Sequence, residues 1–376
     1  MIKNKFLDLS QLTLVMPTCR RQDYAIRNMQ YWSKTNATLL VLDDSPEPIK
    51  DNIIRSFGNN IIYKHDTSEY ILRIVNSYSK IKTEYTQLIS DDEFYITSAV
   101  RSCIEELEKD DSLISCNGCC LKFIVDKENN QIYSKHVYHR LYNYYTDTMK
   151  EDSVKRLYTY MENYVPVLMY GVIRTDIWKI AFELPVMQIN FFASDELQIS
   201  MYLAFVGKSK IIRELLWLRS FGEHLSIREE FSDRIEPPKT MEKWWHTDLS
   251  ERENFIKKMN EIFNEIIKSK NIKAKDIVEN SCNQFIKGGG SDGTNSNHHR
   301  IKEKYGILIF YLMEFIKKIK LLVPYKIKDF IKNLNIWKKS KMSFLNGAES
   351  LKKMGIKVNT VELIEIKRII EHFHSK

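Results

Sequence analysis

The chain has 376 residues, 43% of them apolar, 12% aromatic and 28% charged, with only 12 Gly and 8 Pro. That composition excludes a disordered chain and a collagen-like fibre, and the length admits two or three packed units. The net charge of +8 is uneven, because residues 299–376 hold 18 Lys and Arg against 7 Asp and Glu, a local +11 that leaves −3 on residues 1–298.

Met1-Ile2-Lys3-Asn4-Lys5 leads into polar sequence with no apolar leader core, and the longest apolar run, Tyr305 to Phe315, falls short of the ~20 residues that span a bilayer. A cytoplasmic location is therefore expected, with the six cysteines as reduced thiols. Cys116-Asn117-Gly118-Cys119 has metal-like spacing but lacks the second pair that a structural zinc needs, so ordinary buried cysteines are expected there.

In chain order, Leu12 to Pro17, Thr38 to Asp43, Ile61 to Tyr63 and Tyr85 to Ile89 are short apolar or β-prone runs that fit buried parallel strands. Ala25 to Trp32 and Glu69 to Tyr78 fit the helices between them, and Thr97 is placed to cap a helix carrying Val100, Cys103, Ile104 and Leu107. Later strands are expected at Ser112 to Val125, Gln131 to Tyr138 and Lys210 to Leu218, and a helix from Asp195 to Val206 that ends at Gly207. Ser250 and Glu253 form a capping box that opens a helix with the apolar stripe Phe255, Ile256, Met259, Ile262, Phe263, Ile266 and Ile267. Gly288 to Thr294 reads as a linker. The expected fold is an α/β sheet with crossover helices, organised as a catalytic domain at 1–225, a helical segment at 226–287, a linker at 288–298 and a basic helical C-terminal region at 299–376.

Ligands of open α/β sheets bind beyond the carboxyl ends of the strands. Three such ends carry chemistry: Pro17-Thr18-Cys19-Arg20-Arg21, Asp43-Asp44-Ser45 and Ser90-Asp91-Asp92-Glu93. Consecutive acids at a buried strand end repel one another unless a cation compensates, and Mg²⁺ or Mn²⁺ held by one or two carboxylates keeps positions open for phosphate oxygens. The plainer alternative is a solvated acidic cap on the helix near Thr97.

The order and spacing of these three segments resemble the N-terminal half of GT-A glycosyltransferases of the family-two type. The resemblance implies a GT-A fold, with a Rossmann-like, mostly parallel sheet flanked by helices and a helical C-terminal extension. It also implies transfer of a sugar from a nucleotide donor. Pro17, Thr18, Arg20 and either Asp43 or Asp44 would hold the nucleoside, Asp91 would touch ribose or metal, and Asp92 would be the principal ligand of Mn²⁺ or Mg²⁺, with Glu93 beside it. The family pattern is Asp-x-Asp, whereas this chain has Ser90-Asp91-Asp92-Glu93, which leaves open which acid binds the ion. Arg73 matches a position where such enzymes place a cation near the donor.

Tyr170-Gly171-Val172-Ile173-Arg174 is similar to the segment that lines the sugar and acceptor pocket, which would bring Gly171 and Arg174 to the site. Ser194-Asp195-Glu196, eleven residues before Gly207 when counted from Glu196, resembles the acidic pair that supplies the base. An Asp at the helix start favours Asp195 and the spacing favours Glu196, so both stand. The carboxylate would take the acceptor proton as oxygen attacks the anomeric carbon, a single displacement that inverts configuration. His224 is a candidate further metal ligand, Arg228 a candidate cation for the leaving group, and Trp244-Trp245-His246 either stack on acceptor sugars or are buried.

The basic, apolar stretch 300–376 has the composition of an interfacial helix drawn to anionic lipid, or of a dimerising helical region. The expected partners are a nucleotide-sugar donor, with UDP the expected nucleotide, and a glycan or lipid-linked acceptor of bacterial surface-polysaccharide (capsule or lipopolysaccharide) synthesis at the inner membrane face. No nucleic-acid module is present. Two other readings are a sugar-nucleotide nucleotidyltransferase, disfavoured because Pro17 to Arg21 contains no glycine, and a catalytically silent binding module on the same fold.

Overall fold

The computed structural model describes residues 7–126, 131–136, 148–184, 189, 191, 193–220, 239–267, 274–288 and 342–375. It is an α/β fold built on one mixed sheet flanked by helices, with a helical C-terminal region. The first strands are β1 (Leu12–Thr18), β2 (Thr38–Asp43), β3 (Ile61–His65) and β4 (Tyr85–Leu88), joined by helices α1 (Gln22–Trp32), α2 (Asp51–Ile54) and α3 (Tyr70–Val75). They run parallel in the spatial order β3-β2-β1-β4, so their carboxyl ends share one edge.

The short strand β5 (Phe94–Tyr95) and helix α4 (Thr97–Lys109) follow, then the long strand β6 (Leu113–Asp126), β7 (Gln131–His136) and helix α5 (Ser153–Glu162). Strand β8 (Val172–Arg174) inserts between β4 and β6 and is antiparallel to both. After it come α6 (Thr175–Glu183), α7 (Ser194–Val206) and β9 (Lys208–Ser220), whose end pairs with β5 and which runs parallel to β6. Helices α8 (Met241–Thr247), α9 (Leu249–Ile266) and α10 (Ala274–Gly288) precede β10 (Met342–Ser343), α11 (Phe344–Lys353) and α12 (Thr360–His374).

Strand alternation divides the core into two layers. Leu12, Leu14 and Met16 of β1 pack with Met29 and Trp32 of α1, Val100 and Ile104 of α4, and Leu363, Ile366 and Ile370 of α12. Val15, Leu40, Leu42 and Leu88 pack with Met161 of α5, Trp178 of α6, Phe205 of α7, Met259 and Phe263 of α9, and Cys282 of α10. The described C-terminal stretch therefore belongs to the same core as the sheet, and β10 extends that sheet beside β7. Cys116, Cys119 and Cys120 are buried on β6 and form no disulfide.

Several sequence expectations change in detail. Thr97 begins α4 but does not cap it with its own side chain; its N–H and that of Ser98 are taken by the Glu362 carboxylate from α12. Ser250 lies inside α9, which starts at Leu249 after Asp248, rather than forming a capping box at its entry. Within the expected stripe Phe255, Ile256, Met259 and Phe263 are buried, whereas Ile266 is exposed. Trp244 and Trp245 are buried too, with Trp244 against Phe191 and Phe255, so they form core and not a sugar platform. The linker at 289–298 and the basic run 300–341 lie outside the described residues.

Candidate active site

The carboxyl edge of β1, β2, β3 and β4 gathers the polar residues that the sequence singled out. The parallel register sets Thr18 beside Asp43 and Asp43 beside His65. Buried Asp43 accepts hydrogen bonds from the Ser45 N–H at 2.8 Å, Gln22 Nε2 at 2.7 Å and the Tyr63 hydroxyl at 2.7 Å. Its neighbour Asp44 is half-buried and pairs with the buried guanidinium of Arg73 at 2.9 Å. Burial works against the Arg73 charge and lowers its affinity for the proton, while nearby Cys19 and Asp43 oppose that effect.

The acidic turn after β4 is tied to β1 and α1. Thr18 donates from Oγ1 to Asp91 Oδ2 at 2.7 Å. Arg21 Nη2 bridges Asp91 Oδ1 at 2.9 Å and Asp92 Oδ2 at 2.7 Å. Burial raises Asp91 well above the usual carboxylate range, and Asp92 adds to that while Arg21 and Thr18 pull against it. Glu93 is buried as well, accepts from Trp217 Nε1 at 2.7 Å and lies 3.6 Å from Arg219 Nε. From α1, Arg27 Nη2 donates to the Asp92 carbonyl at 2.9 Å and Asn28 Nδ2 to the carbonyls of Asp91 and Glu93.

Opposite this turn stands the start of α7. The Tyr164 hydroxyl donates to Glu196 Oε1 at 2.9 Å, and burial pushes Glu196 up to about 7 against that bond. Asp195 is raised by burial, helped by Glu69 at the start of α3 and opposed by the Ser194 hydroxyl. Tyr170 links the two sides. Burial holds its hydroxyl well above the ordinary phenol range, and the charges of Glu196, Glu93 and Asp92, together with the Tyr70 phenol, act in the same direction. Its ring lies 5.0 Å from that of Trp217, the residue that binds Glu93.

Among the described residues, two that are not glycine have positive φ: Arg20 at 55° and Ala193 at 61°. Arg20 lies within the Pro17–Arg21 segment, and Ala193 immediately precedes Ser194-Asp195-Glu196. Left-handed backbone at non-glycine residues concentrates at functional sites because surrounding structure must hold it. The Arg20 N–H is fixed by Ser45 Oγ at 2.9 Å, which couples the ends of β1 and β2.

Pro17, Thr18, Arg20, Asp43, Asp44, Asp91, Asp92 and Glu93 fall on this edge or its turn, Arg73 reaches it from α3 through Asp44, and Asp195 and Glu196 open α7, whose Glu196 acts on Tyr170 together with the acidic turn. Gly171 is at the near end of β8, where a Cβ would sit 3.0 Å from the Cys116 carbonyl, so its small size serves close strand packing. Arg174 is not brought to the site. Because β8 is antiparallel to β4, Arg174 pairs with Tyr85 at the amino end of that strand, where it donates to the carbonyls of Leu113 and Leu107. His224 and Arg228 lie outside the described residues. Residue-type reasoning missed Gln22, Asn28, Arg27, Tyr164 and Trp217. For Gln22, Arg27 and Asn28 a signal existed in their place on the helix that follows β1, whereas Tyr164 and Trp217 are joined to the acids only by tertiary contact.

The donor set tests the expected metal. Among the described residues no three His, Cys, Asp or Glu side chains stand close enough together to hold an ion. Glu93 is withdrawn from the expected ligands, because its carboxylate is engaged by Trp217 and Arg219. Asp92 is the more exposed acid of the pair, with 18% of its side chain accessible against 6% for Asp91, and it keeps Arg21 as its partner. These residues do not fit a metal caged by the protein alone. They fit a cation that arrives with a diphosphate, which asks one or two carboxylates of the protein.

No family model matches the chain, and no curated protein matches it in sequence. In chain trace it is similar to S. aureus TarS 1-349, with a TM-score of 0.40, 10% identity, and coverage of 73% of this chain and 89% of that one. The same S. aureus TarS fragment in complex with UDP-GlcNAc gives 0.39, 10%, 73% and 89%. Against the S. aureus TarS structure that covers a longer chain the values are 0.36, 12% and 75%, and the match spans 50% of that chain. At these scores the likeness marks a resemblance in chain trace, and the chemistry is carried by the residues above.

Proposed function

We propose that this chain is an inverting glycosyltransferase that moves a sugar from a nucleotide donor to an acceptor hydroxyl. The carrying observation is the surroundings of Tyr170, whose electrostatic neighbours are Asp92 and Glu93 from the acidic turn and Glu196 from the facing helix. A donor diphosphate and an acceptor hydroxyl need those two kinds of group on either side of one reacting carbon.

In this reading the strand edge carrying Pro17, Thr18, Asp43, Asp44 and Arg73 takes the nucleoside, with half-buried Asp44 as the acceptor for a base or ribose donor and Asp43, already satisfied by Ser45, Gln22 and Tyr63, holding the edge in shape. Arg20, Arg21 and Asp92 face the diphosphate. Asp92 would hold a divalent cation bound with the donor, which would supply charge for the leaving nucleoside diphosphate. Glu196 is the stronger candidate for the base: it is raised to about 7, is oriented by Tyr164 and shares Tyr170 with the acidic turn. A general base works best with a pKa near the operating pH. Asp195, facing Glu69 and Tyr70, orders the acceptor side.

Among the described residues no helix is long and apolar enough to cross a membrane. The reading extends to a glycan or lipid-linked acceptor reached at an anionic membrane face through the basic stretch 300–341, with catalytic residues confined to 1–225.

The test is incubation with UDP-, GDP- and CMP-linked sugars plus Mn²⁺, following release of free nucleotide. Release from one donor class, lost in Glu196→Gln, is the expected result. Absence of release from every donor, with and without glycan acceptors, would overturn the reading.

A further inference from the structure

Arg27 of α1 is 2% exposed and lies inside a cage of three aromatic rings. Its guanidinium carbon is 4.7 Å from the ring centre of Tyr24, 4.8 Å from that of Phe94 and 4.7 Å from that of Phe373. Tyr24 and Phe94 flank the acidic turn in sequence or in space, but Phe373 comes from the last turn of α12, and its ring meets Tyr24 edge-on at 4.6 Å. From this cage Nη2 reaches the Asp92 carbonyl at 2.9 Å. Cation–π contacts with several rings keep a buried guanidinium charged and fix its plane, and a planar donor fixes whatever it bonds.

A second tie from α12 lies in its first turn. Glu362 accepts from the Tyr31 hydroxyl at 2.9 Å and from Ser98 Oγ at 3.0 Å, besides the N–H of Thr97. The Tyr95 carbonyl also lies 2.9 Å from the Tyr31 hydroxyl, whose single proton is shared between it and Glu362. The helix therefore grips both flanks of the acidic turn, α1 on one side and the β5–α4 junction on the other.

We infer that α12 is a built-in strap for the acidic turn, with Arg27 as the positioning residue and Phe373 as the ring that holds it on the Asp92 carbonyl. The strap follows from the contacts alone; that the turn it holds is the diphosphate site rests on the function proposed above. A C-terminal helix whose sequence carries no acid, base or phosphate ligand of the site would then set how well Asp92 is presented. It would also couple any event on α12 to donor binding.

Amide hydrogen exchange of the full chain without ligand reads the strap directly, since local opening reports local support. In Phe373→Ala, and independently in Arg27→Lys, the peptide covering residues 90–93 should exchange at least ~10-fold faster while the peptide covering β2 is unchanged, and Phe373→Leu should restore part of the protection. Arg27→Lys keeps the charge and loses the planar fork, so it serves where Phe373→Ala fails to fold. Nucleotide affinity measured with Mn²⁺ should fall ~5-fold or more in the same variants, with metal-free affinity preserved. Unchanged exchange at 90–93 in a folded Phe373→Ala or Arg27→Lys overturns the strap. A wild-type chain that binds no nucleotide while both variants loosen the turn overturns the functional reading and leaves the strap supported.

Discussion

Thr18 Oγ1 donates to Asp91 Oδ2 at 2.7 Å, and this one bond joins the end of β1 to the turn after β4 across a sequence separation of 73 residues. Both residues are buried. Thr18→Val keeps the shape and leaves a buried carboxylate short of a donor, which costs about 1–3 kcal/mol. Urea denaturation should show that loss, and Thr18→Ser should recover most of it. Equal stability of wild type and Thr18→Val would mean that Arg21 alone carries Asp91.

Glu196→Gln keeps the side chain's size and removes its basicity. Turnover should drop by ~10²–10⁴-fold, the range that positioned base catalysis supplies, with donor affinity unchanged. Asp195→Asn should cost less, since Glu196 is the largest charge acting on Tyr170 and is the acid that Tyr164 orients. Single-turnover rates with equilibrium nucleotide binding separate the two effects. A larger loss in Asp195→Asn than in Glu196→Gln reverses the assignment.

The raised Glu196 fixes two pH dependences of opposite sense. As a base it acts ionised, so log kcat should climb with unit slope below about 7 and level off above it. For stability, the folded chain retains a proton that the unfolded chain, with the ordinary Glu value of 4.5, has released. The group's contribution is thus complete at the acid end and is lost as pH rises toward about 7. Urea midpoints of wild type minus those of Glu196→Gln should fall across that window, and a difference that stays flat contradicts the buried, neutral Glu196.

Gly118 sits at the register shift between β6 and β9, where a Cβ would lie 2.6 Å from Leu216 Cβ and 2.8 Å from the Glu214 carbonyl. Both obstacles are at or near backbone and cannot swing aside. Gly118→Ala should therefore destabilise the fold by about 1–3 kcal/mol and disturb Trp217, one residue beyond Leu216, so that tryptophan fluorescence shifts together with the melting temperature. A stable Gly118→Ala protein with unchanged emission would argue against this strand contact.

The parallel half of the fold could be read from local pattern because each strand is an apolar or β-prone run, and β1, β2 and β4 carry polar residues at or just past their carboxyl ends. Thr38–Asp43 has the expected bounds, and β1, β3 and β4 differ by one or two residues at one end. Asp43, Asp44 and the acidic turn were found by the same rule, whereas Asp195 and Glu196, at a helix start, came from the family resemblance. Arg174 misled because residue type says nothing of strand direction: on a strand antiparallel to β4, three residues past Gly171 lead away from the edge. Thr97 looked like its helix's own cap because the true partner, Glu362, is 265 residues distant. The basic charge of 299–376 drew attention to surfaces, while Leu363, Ile366 and Ile370 within that stretch pack against the sheet. Long-range docking of this kind leaves no periodic trace beyond an amphipathic helix.

Thermal unfolding in the presence of UDP, GDP or CMP, each with and without Mn²⁺, bears most directly on the central claim. One nucleotide should raise the melting temperature, with a stabilisation of about 2.7 kcal/mol at a hundredfold excess over its Kd. Mn²⁺ should enlarge the shift, and Asp92→Asn should abolish the Mn²⁺-dependent part while leaving the remainder. No shift with any nucleotide, in either metal condition, would contradict the assignment of this strand edge as a nucleotide-sugar site.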